Sequence, residues 1–346
     1  MKRFLVAAAV CFLLVAVTAG AGAEVSTTFY GYTWLRYTFV DNVTSAENMF
    51  SIPRCYIGAK IKTDSIAEGL VLLNLESKQY GQSQVSHTDT NTLAASSALA
   101  DWLVYLKCAY VDLKGLLPVP GMKIRFGLQG VYFCLTDLWG YPVTAREVAD
   151  VNGLMSSADM GVALIGDIAE GRGDYQIAVY NGTGYKLVED DPKKAVAVSL
   201  KIKPLPIMWV RGSYFADFAN TLQAPVNKQR IGLAAGFDIP VLSGHFGYVI
   251  PSDPSVATVK QGRAMELFLL GRIPGSPFEF GCKYDSYKED VSSTAAAATD
   301  NSRVSGGLNW QIAENVLMQF DVENKMYDDT TKNRETSYIV QTKLSW

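Results

Sequence analysis

Polar and apolar residues alternate along most of the chain after its first 23 residues. In the stretch from Arg54 to Lys62, one parity carries the cations and the other carries Cys55, Ile57 and Ile61. Successive side chains of a β-strand point to opposite faces of the sheet, so this pattern predicts a strand with one polar and one apolar face.

About sixteen segments of this kind follow one another, and the connections between them alternate in length. Short turns containing Gly, Pro or Asn alternate with longer polar connections, which is typical of outer-membrane barrels. We therefore predict an all-β fold, a transmembrane antiparallel β-barrel of about 16 strands with short periplasmic turns and long outer loops. A soluble antiparallel sandwich, whose strands alternate in the same way, is the alternative.

The N-terminus has the features of an export signal. Lys2 and Arg3 precede an apolar run, and small residues occupy positions 21–23. This order is typical of a secretory signal peptide. We therefore predict a cleaved signal over residues 1–23, a barrel over residues 24–346 and a location in the outer membrane of the cell.

Composition and charge exclude several other classes. Hydrophobic residues make up 49% of the chain and charged residues 19%, which argues against a disordered protein. The formal net charge of −3 argues against nucleic acid as a partner. Neither a metal nor a cofactor is expected. After residue 23 the cysteines Cys55, Cys108, Cys134 and Cys282 show no paired spacing, although a disulfide between two of them stays open.

Several segments carry a family resemblance. The segment Tyr338–Trp346 resembles the C-terminal strand of Gram-negative outer-membrane porins, and the blocks Arg54–Lys62, Ser156–Val162 and Tyr175–Gly184 resemble the phosphate-selective porin family. The resemblance implies a passive diffusion channel for ions and small hydrophilic solutes. It also implies that Trp346 is an assembly signal read by the barrel-assembly machinery, that the protein is a homotrimer, and that its partners include outer-membrane lipids and lipopolysaccharide.

The third outer loop, predicted over residues 134–157, is the longest candidate for a functional segment. The resemblance implies that it folds into the pore and sets the constriction, whereas a loop lying over the mouth is the alternative. Long loops without their own strands are usually functional. The candidate constriction residues are Asp137, Arg146, Glu147 and Asp150.

Strand parity predicts a basic lumen wall opposite this loop. A basic wall facing acidic loop residues would create a transverse field across the pore. The alternative is that both signs of charge are scattered over a wall that must be polar in any case. The predicted wall cations are Arg36, Arg54, Lys60, Lys62, Lys123, Arg125, Lys201, Arg211 and Arg230.

Two further functions remain open, and enzymatic activity is not expected. Inward aromatic residues could form a track for an oligosaccharide-selective channel, and the barrel could instead be a non-transporting structural or adhesive protein. The chain has two histidines, His87 and His245, and no Gly-x-Ser-x-Gly motif, so a hydrolase is disfavoured. The aromatic candidates are Tyr30, Tyr32, Trp34, Tyr56, Tyr105 and Trp209.

Overall fold

The protein is a closed antiparallel β-barrel of sixteen strands in a computed structural model, so the predicted fold class is confirmed. The structure describes residues 25–42, 45–63, 67–77, 102–137, 146–169, 171–187, 189, 192–218, 220–221, 224–225, 227–254, 259–293 and 299–346. The predicted signal peptide over residues 1–23 lies outside the described residues. No helix within the described ranges is long and apolar enough to cross a membrane.

The barrel strands follow one another in chain order. They are β1 Val25–Asn42, β2 Ser45–Thr63, β3 Ala67–Ser77, β4 Trp102–Lys114, β5 Lys123–Gly130, β6 Ala158–Ile168, β7 Gly173–Tyr180, β8 Ala195–Leu205, β9 Met208–Asp217, β10 Lys228–Ile239, β11 Leu242–Pro254, β12 Arg263–Arg272, β13 Phe278–Lys288, β14 Asn301–Ala313, β15 Val316–Tyr327 and β16 Glu335–Ser345. Three shorter strands, Asn220–Thr221, Ala224–Pro225 and Val259–Gln261, lie in the connections. A single helical turn, α1, spans Val148–Val151.

The ring closes where β1 pairs with β16. Tyr37 lies opposite Val340 in this antiparallel seam, and Gly31 exchanges two backbone hydrogen bonds of 3.1 Å with Trp346. Every barrel strand therefore has a hydrogen-bonded neighbour on both sides. A closed ring leaves no unpaired strand edge, which is the condition for a sheet to lie in lipid.

The two faces of the sheet differ as the alternation predicts. On β10, Ile231 and Leu233 are exposed on the outside, whereas Arg230 and Ala234 are buried on the inside. The same alternation recurs on the other strands, so the outer surface is a continuous apolar band. A band of this size on a water-soluble monomer would be unusual.

Two departures from regular pairing affect the inner wall. The register between β3 and β4 shifts between Leu72 and Leu73, so that Lys107 is the extra residue of a β-bulge. In addition, β5 ends at Gly130, and the chain then leaves the wall. Val131 and Phe133 are buried inside the barrel.

Candidate functional site

The connection between β5 and β6, residues 131–157, contacts the inner face of the barrel. The Cys134 N–H donates to Ser213 Oγ over 3.1 Å, and the guanidinium of Arg211 donates to the Cys134 carbonyl over 3.3 Å. Further along, Arg230 Nε donates to the Leu154 carbonyl over 3.2 Å. Arg211 and Ser213 belong to β9 and Arg230 belongs to β10, so the described parts of this connection lie against these two strands. Residues 138–145 of the predicted loop lie outside the described residues.

Small side chains on the inner wall make room for this connection. Phe133 and Leu135 are fully buried, as are Val148 and Ala149 of α1. A side chain at Gly232 would meet Phe133, since its Cβ would lie 3.0 Å from Phe133 Cζ. The wall residues in the same apolar cluster are mostly small: Ala163, Ala178, Ala195, Ala197, Ala234, Val249 and Ala264. A ring of inward alanines was therefore the sequence signal for a docked segment.

Glu147 caps the helical turn and is buried. Its carboxylate accepts from the Asp150 N–H over 3.0 Å and from Thr136 Oγ1 over 3.2 Å, and the residue is 1% exposed. Burial, together with the nearby Glu266 carboxylate, raises the pKa of Glu147 to about 8. Glu147 was predicted as a constriction residue, but its side chain is turned into the wall because it serves as the N-cap.

A buried charge cluster fastens α1 to β12 and β13. The Val148 N–H donates to Glu266 Oε2 over 2.8 Å, and Lys283 Nζ donates to the Arg146 carbonyl over 2.7 Å. Lys283 also lies 3.3 Å from Glu266 and 3.0 Å from Asp285, and none of these three side chains is exposed. We call Glu266, Lys283 and Asp285 the anchor cluster.

The opposite side of α1 carries charges that stay open to the lumen. The Arg146 side chain is 50% exposed, and it forms an ion pair of 3.7 Å with Asp150. Asp150 is close enough to Arg54 and Lys107 to interact with both electrostatically, and Arg146 interacts in the same way with Arg36. The lumen is therefore bounded here by α1 on one side and by cations of β1, β2 and β4 on the other.

The remaining wall cations that parity predicted mostly stand beside carboxylates. Arg125 donates two hydrogen bonds to Asp112, which also lies 2.7 Å from Lys123. Lys60 lies over the Tyr30 ring at 5.0 Å. The predicted basic wall is thus largely a set of ion pairs, as in the alternative with both signs of charge. The other pairs are Lys201 with Asp174, Arg211 with Asp174 and Asp137, and Arg230 with Asp253, while Lys62 is exposed.

Asp137 does not face the wall cations across the lumen. Its carboxylate contacts Arg211 on β9, the strand against which its own segment lies. Of the four predicted constriction residues, the structure therefore brings Arg146 and Asp150 together on the open side of α1. It places Asp137 and Glu147 in the contacts that hold the segment to the wall.

The aromatic candidates separate into different parts of the barrel. Tyr32 and Tyr56 form an edge-to-face pair with ring centroids 5.1 Å apart, and Trp34 is 1% exposed. Tyr105, on β4, instead lies 6.3 Å from the ring of Tyr185 in the connection between β7 and β8. Trp209 lies on β9. These aromatic residues do not line one continuous track, because Trp34 is buried and its ring face is not open to the lumen.

The comparisons with known proteins agree with this architecture. No model of a protein family matches the chain, and no curated protein sequence matches it significantly. Among solved structures, the outer-membrane channel DcaP of Acinetobacter baumannii has a TM-score of 0.68 at 9% identity, over 93% of this chain and 98% of that one. An anion-selective porin from Comamonas acidovorans has a TM-score of 0.65 at 12% identity, over 93% of this chain and 100% of that one.

OmpF of Salmonella typhi, solved in complex with daunomycin, gives a similar result. Its TM-score is 0.65 at 12% identity, over 92% of this chain and 97% of that one. At such identities the likeness shows the fold, and that fold is the barrel of the outer-membrane porins.

Proposed function

We propose that the protein is an outer-membrane porin, a passive diffusion channel for ions and small hydrophilic solutes. The observation that carries this proposal is the position of residues 131–137 and 146–157, which lie against one side of the inner wall and leave Arg146 and Asp150 facing the cations on the other side. A segment placed in this way narrows a channel without filling it. The porin fold of the solved relatives supports the same function.

The charges around this narrowing give it an electrostatic role. Asp150 on α1 and the cations Arg36, Arg54 and Lys107 on the strands produce a field across the solute path. Such a field orients dipolar solutes and changes the local concentration of each ion. The wider lumen contributes less, because the charges there stand in opposite pairs.

The surroundings of the barrel are part of the proposal. An apolar outer face fits contact with outer-membrane lipids and lipopolysaccharide, and an exported chain would use residues 1–23 as its signal. Trp346 lies in the closing seam, where the barrel-assembly machinery would read it. We propose a homotrimer as the assembled form. The proposal does not include selectivity for phosphate.

Arginine substitutions on the outer face test the membrane contact. Leu233, in the middle of β10, is 53% exposed, and Leu205, at the end of β8, is 52% exposed. Leu233→Arg is expected to lower the free energy of unfolding by about 2–4 kcal/mol, since a cation at mid-bilayer is costly, whereas Leu205→Arg near the interface is expected to cost about 0–1 kcal/mol. Urea unfolding in lipid vesicles measures both. Equal costs would contradict a bilayer around this face.

Reversal potentials in planar bilayers test the channel and its charges. A unit charge about 5 Å from the ion path changes the energy of a monovalent ion by about 0.8 kcal/mol in water, which is about a fourfold change in local concentration. Asp150→Asn is expected to shift the permeability ratio towards anions by up to this factor, and Arg54→Gln towards cations. Lys62→Gln, at an exposed position away from α1, is the control and should change little.

The absence of any conductance would favour the structural or adhesive alternative. Conductance with no shift for either variant would place the narrowest section elsewhere. The oligosaccharide channel finds less support, because Trp34 is buried and Trp209 stands on a distant strand.

A further inference from the structure

A cavity of about 830 Å³ lies at the end of the barrel where the short turns are. It is bounded by the turn between β4 and β5, by the inner wall from β3 to β9, and by Tyr132 and Asp137 of the segment that narrows the lumen. We call this space the turn cavity. Its charged lining residues are Glu68, Lys114, Lys123, Asp137, Asp167, Asp174, Lys201 and Arg211.

One side of the turn cavity carries an excess of positive charge. Lys114 and Lys123, which we call the lysine pair, lie directly opposite one another on β4 and β5. Both approach the same carboxylate, that of Glu68, at 2.7 and 3.5 Å. Lys123 also lies 2.7 Å from Asp112, which Arg125 already neutralises. Three cations therefore share two carboxylates here, and the three N–H donors of each ammonium group leave the lysine pair able to bind a solute.

The neighbouring strands carry the opposite excess. Asp167 and Asp174, the aspartate pair, lie directly opposite one another on β6 and β7. Asp174 lies 3.3 Å from Lys201 and 3.7 Å from Arg211, and Arg211 also binds Asp137. Asp167 is exposed and has no ion pair among the described residues. Three carboxylates therefore share two cations on this side, and like charges directly opposite one another across two strands are unfavourable.

The turn between β4 and β5 adds an apolar surface to the same cavity. Pro118 and Pro120 fix their own φ angles, which stiffens the turn. Gly121 has a φ of +76°, and a Cβ there would lie 3.4 Å from Asp167 Cβ, so the turn packs beside the aspartate pair. The apolar residues of the turn that line the cavity are Leu117, Pro118, Val119, Pro120 and Met122.

The two charge excesses stay separate. No ion pair joins the lysine pair to the aspartate pair in the described part of the chain. Lys123 faces Ile165 across the strands, and Asp167 lies two residues further along β6. The Nε of Arg211, a side chain that is 1% exposed, is a further donor without a hydrogen-bond partner among the described residues. Because four cations and four carboxylates line the cavity, a solute that carries both charges complements it better than a solute with one.

We propose that the turn cavity binds small zwitterions with an apolar side chain, of which apolar α-amino acids are the simplest. The solute carboxylate accepts from the lysine pair, the solute ammonium group donates to Asp167, and the side chain lies against Leu117. A neutral sugar would use neither charge excess, and an amine or a carboxylate alone would use only one. This inference rests on the proposed channel function and adds a solute class to it.

Calorimetric titration of the purified protein in detergent with four related solutes tests the proposal. Leucine has both charges and a side chain. Glycine lacks the side chain, 4-methylpentanoate lacks the ammonium group, and 3-methylbutylamine lacks the carboxylate. Leucine is expected to bind about tenfold more tightly than glycine, which is roughly the contribution of two buried CH₂ groups. The two singly charged solutes should each bind about threefold more weakly than leucine, because each loses one partly exposed ion pair.

Two variants, each with a matched control, divide the contributions of charge and side chain. Asp167→Asn is expected to weaken leucine binding about threefold and to leave 4-methylpentanoate unchanged. Its control is Glu314→Gln, which removes an exposed carboxylate from the turn between β14 and β15. Leu117→Asn is expected to weaken leucine binding and to leave glycine unchanged. Leu116→Asn is its control, because Leu116 belongs to the same turn but is 57% exposed and lies outside the cavity lining.

The outcomes separate the two proposals. A protein that gives no conductance in planar bilayers overturns the proposed channel function. A conducting channel that binds leucine no better than glycine, or no better than the two singly charged solutes, overturns the zwitterion site alone. If Asp167→Asn or Leu117→Asn does not assemble, the comparison of the four solutes on the unmodified protein still decides.

Discussion

Lys283→Met is expected to lower the free energy of unfolding by about 3–5 kcal/mol, because it removes the closest cation from the buried carboxylates of Glu266 and Asp285. His245, 3.5 Å from Glu266, and Arg303, 4.0 Å from Asp285, are more distant partners. Both carboxylates lie within 3.3 Å of Lys283 Nζ, and none of the three side chains is exposed. Methionine keeps the approximate length of the side chain. The loss therefore reports on charge and not on a cavity. Urea unfolding in lipid vesicles, followed by intrinsic fluorescence, measures it.

Lys201→Met is the matched control for this change. Lys201 also faces a carboxylate, that of Asp174 at 3.3 Å, but both side chains are partly exposed. Partly exposed ion pairs contribute about 0–1 kcal/mol, so the control should cost little. Similar costs at Lys283 and Lys201 would show that the anchor cluster is not desolvated.

Replacing residues 138–152 with a short Gly/Ser linker is expected to raise single-channel conductance. The replacement removes α1 together with Arg146 and Asp150, and conductance grows with the narrowest cross-section of the lumen. The barrel itself should still assemble, because its ladder hydrogen bonds lie elsewhere. Planar-bilayer recording gives the conductance, and the mobility of unheated samples in gel electrophoresis gives the folded fraction.

The same linker in place of residues 328–334 is the control for the loop replacement. That connection makes its hydrogen bonds locally, for example from Thr331 to Asp329 and from Arg334 to Asn324. Its removal should leave conductance unchanged. If the 138–152 replacement also left conductance unchanged, the narrowest section would not be formed by α1.

Alternation alone predicts the barrel and most of its inner cations. The pleat forces every second side chain inwards, so Arg125, Arg211 and Arg230 could be placed from sequence, and all three are buried inside. The number of strands follows from the same pattern, because each strand must be long enough to cross the bilayer.

Alternation fails where the strand gains a residue. If every second residue of β4 after the inward-facing Tyr105 also faces inwards, Asp112 is assigned to the outer face. In the structure Asp112 is fully buried inside and pairs with Arg125. The bulge at Lys107 reverses the parity of every later residue in that strand. A single sequence gives no sign of a bulge, and so the wall was predicted to be more basic than it is.

Prediction from sequence is also limited in segments where polar and apolar residues do not alternate. Nothing in the order of residues 131–157 tells which of its acids meet the wall and which meet the lumen, because that choice is made by contacts with distant strands. Glu147 and Asp150 differ in this way although they are three residues apart. Leu117, in the turn between β4 and β5, was overlooked for the same reason.

The anchor of α1 also sets an order of events in assembly. Val148 binds Glu266 across 118 residues of sequence, and Arg146 binds Lys283 across 137. Contacts of such separation form late, since the intervening chain must first be ordered. The anchor of α1 cannot form until β12 and β13 have entered the ring. A barrel that is still being built therefore has an open interior, and its final aperture is fixed in one of the last steps of folding.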